Sequence, residues 1–293
     1  MAGGFRITLP PLELVPGKER FPCWIFPLRV DGPSRIVGGA VMRAGDGMHH
    51  GNITTRPLTG DETIRPCPKD EKGSEAVDIA RGGVVLFGSS TQFDGPEEWQ
   101  HFPEGMGYRL PAGQEIVARM HYLNASTKTV TASPTYEWFT IEESSLKQEL
   151  TPFAWWMTSF ELPPRTTTTA AADCMLPDPG QHIVTVLPHM HSLGRALRAH
   201  FVGGPLDGTL FLDSPGYDPS SGVMVQYDPP VDLSQGMGLG FSCTWNNTLD
   251  KTVVEGTGDN EMCMLFGYSW PRKASYSLIA TQSGTCSSVG TPP

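Results

Sequence analysis

The 293-residue sequence predicts an all-β protein, and three observations carry that reading. Glycine and proline, at 33 and 27 residues, are abundant for a helical protein yet short of the disordered range, so they mark turns between short strands. Stretches such as "GQEIVARMHYL", "HIVTVLPHMH" and "ASYSLIATQS" are β-branched and bounded by turn residues. No long segment keeps a helical hydrophobic period. The length predicts two domains of roughly 150 residues, each able to bury a core. The polar stretch "EESSLKQEL" at 142–150 interrupts the apolar segments and "TPFAWWMTSFELPP" restarts them, which places the domains at 1–147 and 148–293.

The formal charge is −10 and no stripe of Lys and Arg stands out, so neither nucleic acid nor an anionic membrane surface is expected as a partner. No apolar run has the length of a membrane span, and "MAGGFRITLPP" lacks a basic and then apolar leader, so the start reads as a mature or trimmed chain. The six cysteines, at 23, 67, 174, 243, 263 and 286, include no C-x-x-C. An even number spread widely through a β-rich chain fits three disulfides and an extracytoplasmic compartment, secreted or periplasmic, better than zinc or thiol redox chemistry. Buried free thiols are the alternative, and spacing alone leaves all pairings open.

Histidine carries the specific signal. Five of eight sit in three tight contexts, "MHHG" (His49, His50), "RMHYLN" (His121) and "PHMHSLG" (His189, His191). On a strand, His189 and His191 at i, i+2 project from one face, which makes a two-ligand metal arm in need of a third ligand. Met262, just before Cys263 in "NEMC", is a candidate, because a thioether favours copper, especially Cu(I), over harder ions. His49 and His50 would point to opposite faces of a regular strand. Gly47 and Gly51 beside them permit the bulge or strand-end turn that would let both converge with His121 on one ion. Three imidazoles suit catalytic zinc as well as copper. His101, His182 and His200 lack such company and read as surface or structural. The sequence contains no H-E-x-x-H, no G-x-S-x-G and no P-loop.

Taken in order, "MHHG", "MHYLN", "HMHSLG" and "NEMC" resemble the copper type II, ascorbate-dependent monooxygenases, the family of peptidylglycine α-hydroxylating and dopamine β-monooxygenases, from Cys23 to Cys286. The resemblance implies two tandem antiparallel β-sandwich, jelly-roll-like domains, each with one copper ion, facing across a cleft. It implies a first copper on His49, His50 and His121, and a second, catalytic copper on His189, His191 and Met262. It also implies the disulfides Cys23–Cys67, Cys174–Cys286 and Cys243–Cys263. The implied activity is hydroxylation of a substrate C–H bond with O2, both coppers cycling between Cu(II) and Cu(I) on electrons from ascorbate or another donor.

The sequence departs from the peptide-specific members where they hold a peptide carboxylate. There, an arginine precedes the H-x-H pair by two residues, and an asparagine and a tyrosine follow the methionine ligand by two and four. Here those positions are Leu187, Met264 and Phe266. Leucine cannot make an arginine's bidentate clamp, so a C-terminal glycine peptide is not the expected substrate and a less charged, aromatic or aliphatic one is. Core packing of the three is the competing explanation. Two residues before His121 stands Arg119, where the peptide hydroxylases have glutamine. Two other functions compete: an extracellular copper-binding or storage protein without turnover, and a zinc hydrolase built on His49, His50 and His121.

Overall fold

The computed structural model describes residues 3–28, 34–60, 62–68, 78, 83–89, 95–217, 224–256, 259–271 and 276–290. These form strands with two short 3-10 turns, in two compact units, Met1–Gln148 and Glu149–Pro293.

Along the first unit run β1 (Gly3–Thr8), β2 (Leu12–Leu14), β3 (Glu19–Arg20), β4 (Cys23–Leu28), β5 (Arg35–Arg43), β6 (Met48–Pro57), β7 (Arg65–Pro66), β8 (Val85–Ser89), β9 (Glu97–His101), β10 (Met106–Leu110), β11 (Gln114–Leu123), β12 (Val130–Ala132) and β13 (Thr135–Ile141). In one sheet β13 lies between β1 and β5, and the far side of β5 pairs with β9 and β10. In the other the order is β7-β4-β11-β6-β8, with β3 continuing beside β11 past the end of β4. β13 shows the two-residue period of a half-buried strand: Tyr136, Trp138 and Thr140 are buried, while Glu137, Phe139 and Ile141 are partly exposed. β11, flanked on both sides, is buried over almost its whole length. At its start Glu115 is fully buried and accepts from Arg56 and Arg65, both at 2.7–2.9 Å. Burial pushes the Glu115 carboxyl up, but the hydrogen bonds and charges of Arg65 and Arg56 outweigh it and hold its pKa below the ordinary value.

The second unit contains β14 (Gln148–Thr158), β15 (Glu161–Leu162), β16 (Thr167–Met175), β17 (His182–His189), β18 (Gly194–Val202), β19 (Leu210–Ser214), β20 (Val225–Asp232), β21 (Gly238–Asn246), β22 (Val253–Val254), β23 (Met264–Trp270), β24 (Tyr276–Thr281) and β25 (Cys286–Gly290). One sheet runs β20-β17-β23-β14-β24-β25, with β14 and β24 parallel. The other runs β16-β21-β18-β19. Their inner faces share one core, in which Phe153, Trp155 and Met157 of β14 meet Leu197, Phe241 and Trp245 of the second sheet. That pairing of sheets through one core is the β-sandwich arrangement.

Disulfides join Cys23 to Cys67, Cys174 to Cys286 and Cys243 to Cys263, the pairs that the resemblance implies. Each unit also contains the same asparagine device. Asn124 follows β11 and donates to the carbonyls of Leu14 and Lys128 while accepting from the Ser126 amide. Asn247 follows β21 and donates to Leu162, Pro163 and Lys251 while accepting from Leu249. Both side chains are buried, at 2% and 0% exposure, and each amide finds its hydrogen-bond partners in nearby backbone groups.

Candidate metal centres

In the first unit, the pairing of β6 with β11 explains how neighbouring histidines meet. His50 stands opposite His121 and Met48 opposite Tyr122, which leaves His49 as an extra residue in a bulge. Gly47 enters the bulge at φ +74°, and a side chain at Gly51 would run into the Met120 side chain. The three rings form a nearly equilateral group, with centroids 5.3, 4.7 and 4.8 Å apart. One nitrogen from each lies within 4.8 Å of the others. The Nδ1 atoms of His49 and His50 are 3.0 Å apart. Two nitrogens on adjacent positions of one ion, each bonded at about 2.0–2.1 Å, would be about 2.9 Å apart, so the His49–His50 pair has the separation of two donors to one small cation.

His121 has close neighbours that the motifs did not reveal. Its Nε2 lies 3.2 Å from Glu19 Oε2, and its ring stacks on Phe21 at 4.2 Å. Arg119, one strand repeat before it, is bound to the buried Asp78 and to Thr54. Thr54 also donates to Asp78, so the guanidinium is anchored within the first unit.

In the second unit, His189 ends β17 and His191 follows two residues later, with ring centroids 5.3 Å apart and planes at 83°. His191 Nδ1 lies 2.6 Å from the carbonyl oxygen of Asn260. A carbonyl has no proton to give, so Nδ1 carries the hydrogen, and in the neutral ring the lone pair is on Nε2. Glu261, 1% exposed, ties the segment together. Its Oε2 accepts from the amides of His191 and Met262 and from Trp245 Nε1 at 3.0, 3.3 and 3.1 Å. Its Oε1 accepts from the Leu193 amide at 2.7 Å. One carboxylate thus holds the backbones of His191 and Met262 together, and the next residue, Cys263, is cross-linked to Cys243. Burial pushes the Glu261 carboxyl above its ordinary pKa, against the pull of the N–H groups of Leu193, His191 and Met262.

Leu187, Met264 and Phe266 share one face of this sheet with His189. The cross-strand rows are His189–Met264–Trp156 and Leu187–Phe266–Ala154. Leu187 is buried, Met264 and Phe266 are partly exposed, and the Phe266 ring is 6.4 Å from that of His189. Trp156 belongs to the same row through strand order, which no sequence motif encodes. Away from the clusters, His101 stacks on Trp99, His182 on Trp270, and His200 contacts Asp173.

Residues 159–292 match the family model described as "Copper type II ascorbate-dependent monooxygenase, C-terminal domain". The family resemblance is shown over that part of the chain. The matched segment contains His189, His191 and Met262, and the family it describes is copper- and ascorbate-dependent. No curated protein matches the chain. Among solved structures, the chain aligns with the STIV MCP at 10% identity and a TM-score of 0.33, over 92% of this chain and 97% of that one. It aligns with the infectious bursal disease virus VP2 subviral particle at 10% identity and a TM-score of 0.20, over 91% and 72%. Among the described residues no helix is long and apolar enough to cross a membrane. The disulfides are consistent with an extracytoplasmic location.

Proposed function

We propose that the protein is a copper-dependent monooxygenase that hydroxylates a C–H bond of an uncharged substrate with O2 and a one-electron reductant such as ascorbate. The observation that carries this reading is the convergence of His49, His50 and His121 in the unit that the family match does not reach. A family match to one unit and an independent metal-type cluster in the other support two metal ions.

In this reading His49, His50 and His121 hold an electron-storing copper, and His189, His191 and Met262 hold the one where O2 and substrate react. Copper bound at these residues would supply one-electron redox chemistry. The protein's own part is placement. The thioether of Met262 favours Cu(I), and Asn260 leaves His191 Nε2 as the ligand nitrogen. Glu261 keeps the two ligand-bearing segments in register. Leu187, Met264, Phe266 and Trp156 give the face beside His189 an apolar character, which suits an aromatic or aliphatic group and offers a carboxylate nothing.

The test compares wild type with Met262→Ala, measuring metal content, ascorbate-driven O2 uptake and labelled oxygen in product from aromatic, aliphatic and amidated compounds. The expected result is copper in both units of wild type, and loss of hydroxylation by about 100-fold or more in Met262→Ala with the first unit's copper retained. Zinc alone with hydrolysis surviving Met262→Ala, or copper with no hydroxylated product, would overturn the proposal.

A further inference from the structure

The segment Glu19-Arg20-Phe21 places two side chains on His121 from outside the histidine cluster. β3 pairs with β11 so that Arg20 stands opposite Tyr122 and Glu19 opposite Leu123, beside the point where the β6 register shifts. Glu19 Oε2 then reaches His121 Nε2 at 3.2 Å, and the Phe21 ring lies on the imidazole face at 4.2 Å with the planes 20° apart. The metal-type cluster comprises His49, His50 and His121, and Glu19 is not one of its members.

We propose that Glu19 is a positioning residue that fixes the tautomer of His121, with the hydrogen on Nε2 and the lone pair of Nδ1 directed to His49 and His50. An ionised carboxylate only accepts hydrogen bonds, so the nitrogen facing it must donate. In a neutral imidazole the other nitrogen is then the ligand, the arrangement by which outer carboxylates orient metal-binding histidines and raise their basicity. Phe21 limits rotation of the ring about that bond. The added negative charge favours Cu(II) over Cu(I), so the ion held here would give up its electron more readily. This last consequence rests on the copper reading above, whereas the tautomer does not.

Two measurements separate them. In the metal-free protein, nitrogen-15 NMR of the imidazoles, with His121 assigned by the signals lost in His121→Ala, reads the tautomer directly. The Nε2–H form should dominate in wild type and in Glu19→Gln, whose amide oxygen still accepts, and give way to a mixture in Glu19→Ala. With copper loaded, Glu19→Gln and Glu19→Ala should bind Cu(II) at the first unit about tenfold more weakly, the lower end for an outer-shell partner because Glu19 is half exposed. If Cu(I) affinity is unchanged, that factor raises the one-electron potential by about 59 mV. The same His121 tautomer in all three proteins would overturn the proposal, whatever the metal does. Altered tautomers in a chain that binds no copper would uphold it while overturning the monooxygenase reading.

Discussion

Replacing Glu261 with glutamine isolates what the buried carboxylate contributes. Its two oxygens accept four N–H groups, three on Oε2 and one on Oε1. The amide keeps one acceptor. With its oxygen turned toward the amides of His191 and Met262 and the indole of Trp245, its NH2 faces the Leu193 amide and leaves that buried donor unmatched. A buried donor without a partner costs about 1–3 kcal/mol, and hydrogen bonds to a charged group exceed those to a neutral one by roughly 1 kcal/mol. Relief of the buried charge's desolvation offsets part of that sum, so we expect a net loss of about 2–3 kcal/mol. For a unit of this size that lowers Tm by about 6–9 °C, read by calorimetry. Because the same contacts hold the backbones of His191 and Met262, the hydroxylation proposed above should fall by about 100-fold, the cost of a displacement near 1 Å. A variant that melts within a degree of wild type and turns over at its rate would refute this account of Glu261.

Glu115→Gln should lose about 3 kcal/mol at pH 7, because Arg56 and Arg65 then meet a neutral amide in a buried site. The folded pKa of Glu115 is depressed, so its contribution is present above the unfolded carboxylate value of about 4.3 and is lost as pH falls through the folded value. The wild-type advantage in urea melts should therefore shrink below pH 4.3, and an undiminished advantage there would contradict the assignment. Gly51→Ala brings a methyl against Met120 and should destabilise by about 1–3 kcal/mol while loosening the histidine bulge, seen as weaker metal binding at the first unit. Removing the Cys174–Cys286 link, which spans 112 residues, should cost about 4–5 kcal/mol in the chain-entropy account, against about 3 kcal/mol for the 20-residue Cys243–Cys263 link. Equal losses would argue against an entropic origin.

The all-β architecture and the chemical types at the candidate centres were legible in the sequence because both are local. Turn residues between β-branched runs leave little besides strands, and histidine and methionine side chains restrict the chemistry of a site wherever the chain places them. The strand argument reaches only His189, because His191 lies past the end of β17, where Glu261 and Asn260 hold it. His49 and His50 are adjacent, which on a regular strand would separate them. Only the register of β6 against β11, with its extra residue at His49, sets both rings opposite His121. The same limit hid Glu19, Glu261 and Trp156. Their partners lie 102 residues away at His121, 70 at His191 and, for Trp156, across two strand pairings. Such contacts arise only when strands pair and sheets close, and for the buried Glu261 they satisfy a carboxylate that must find N–H donors. Tertiary structure therefore decided which residues hold the candidate ligands in place, while the sequence alone determined which residues could be ligands.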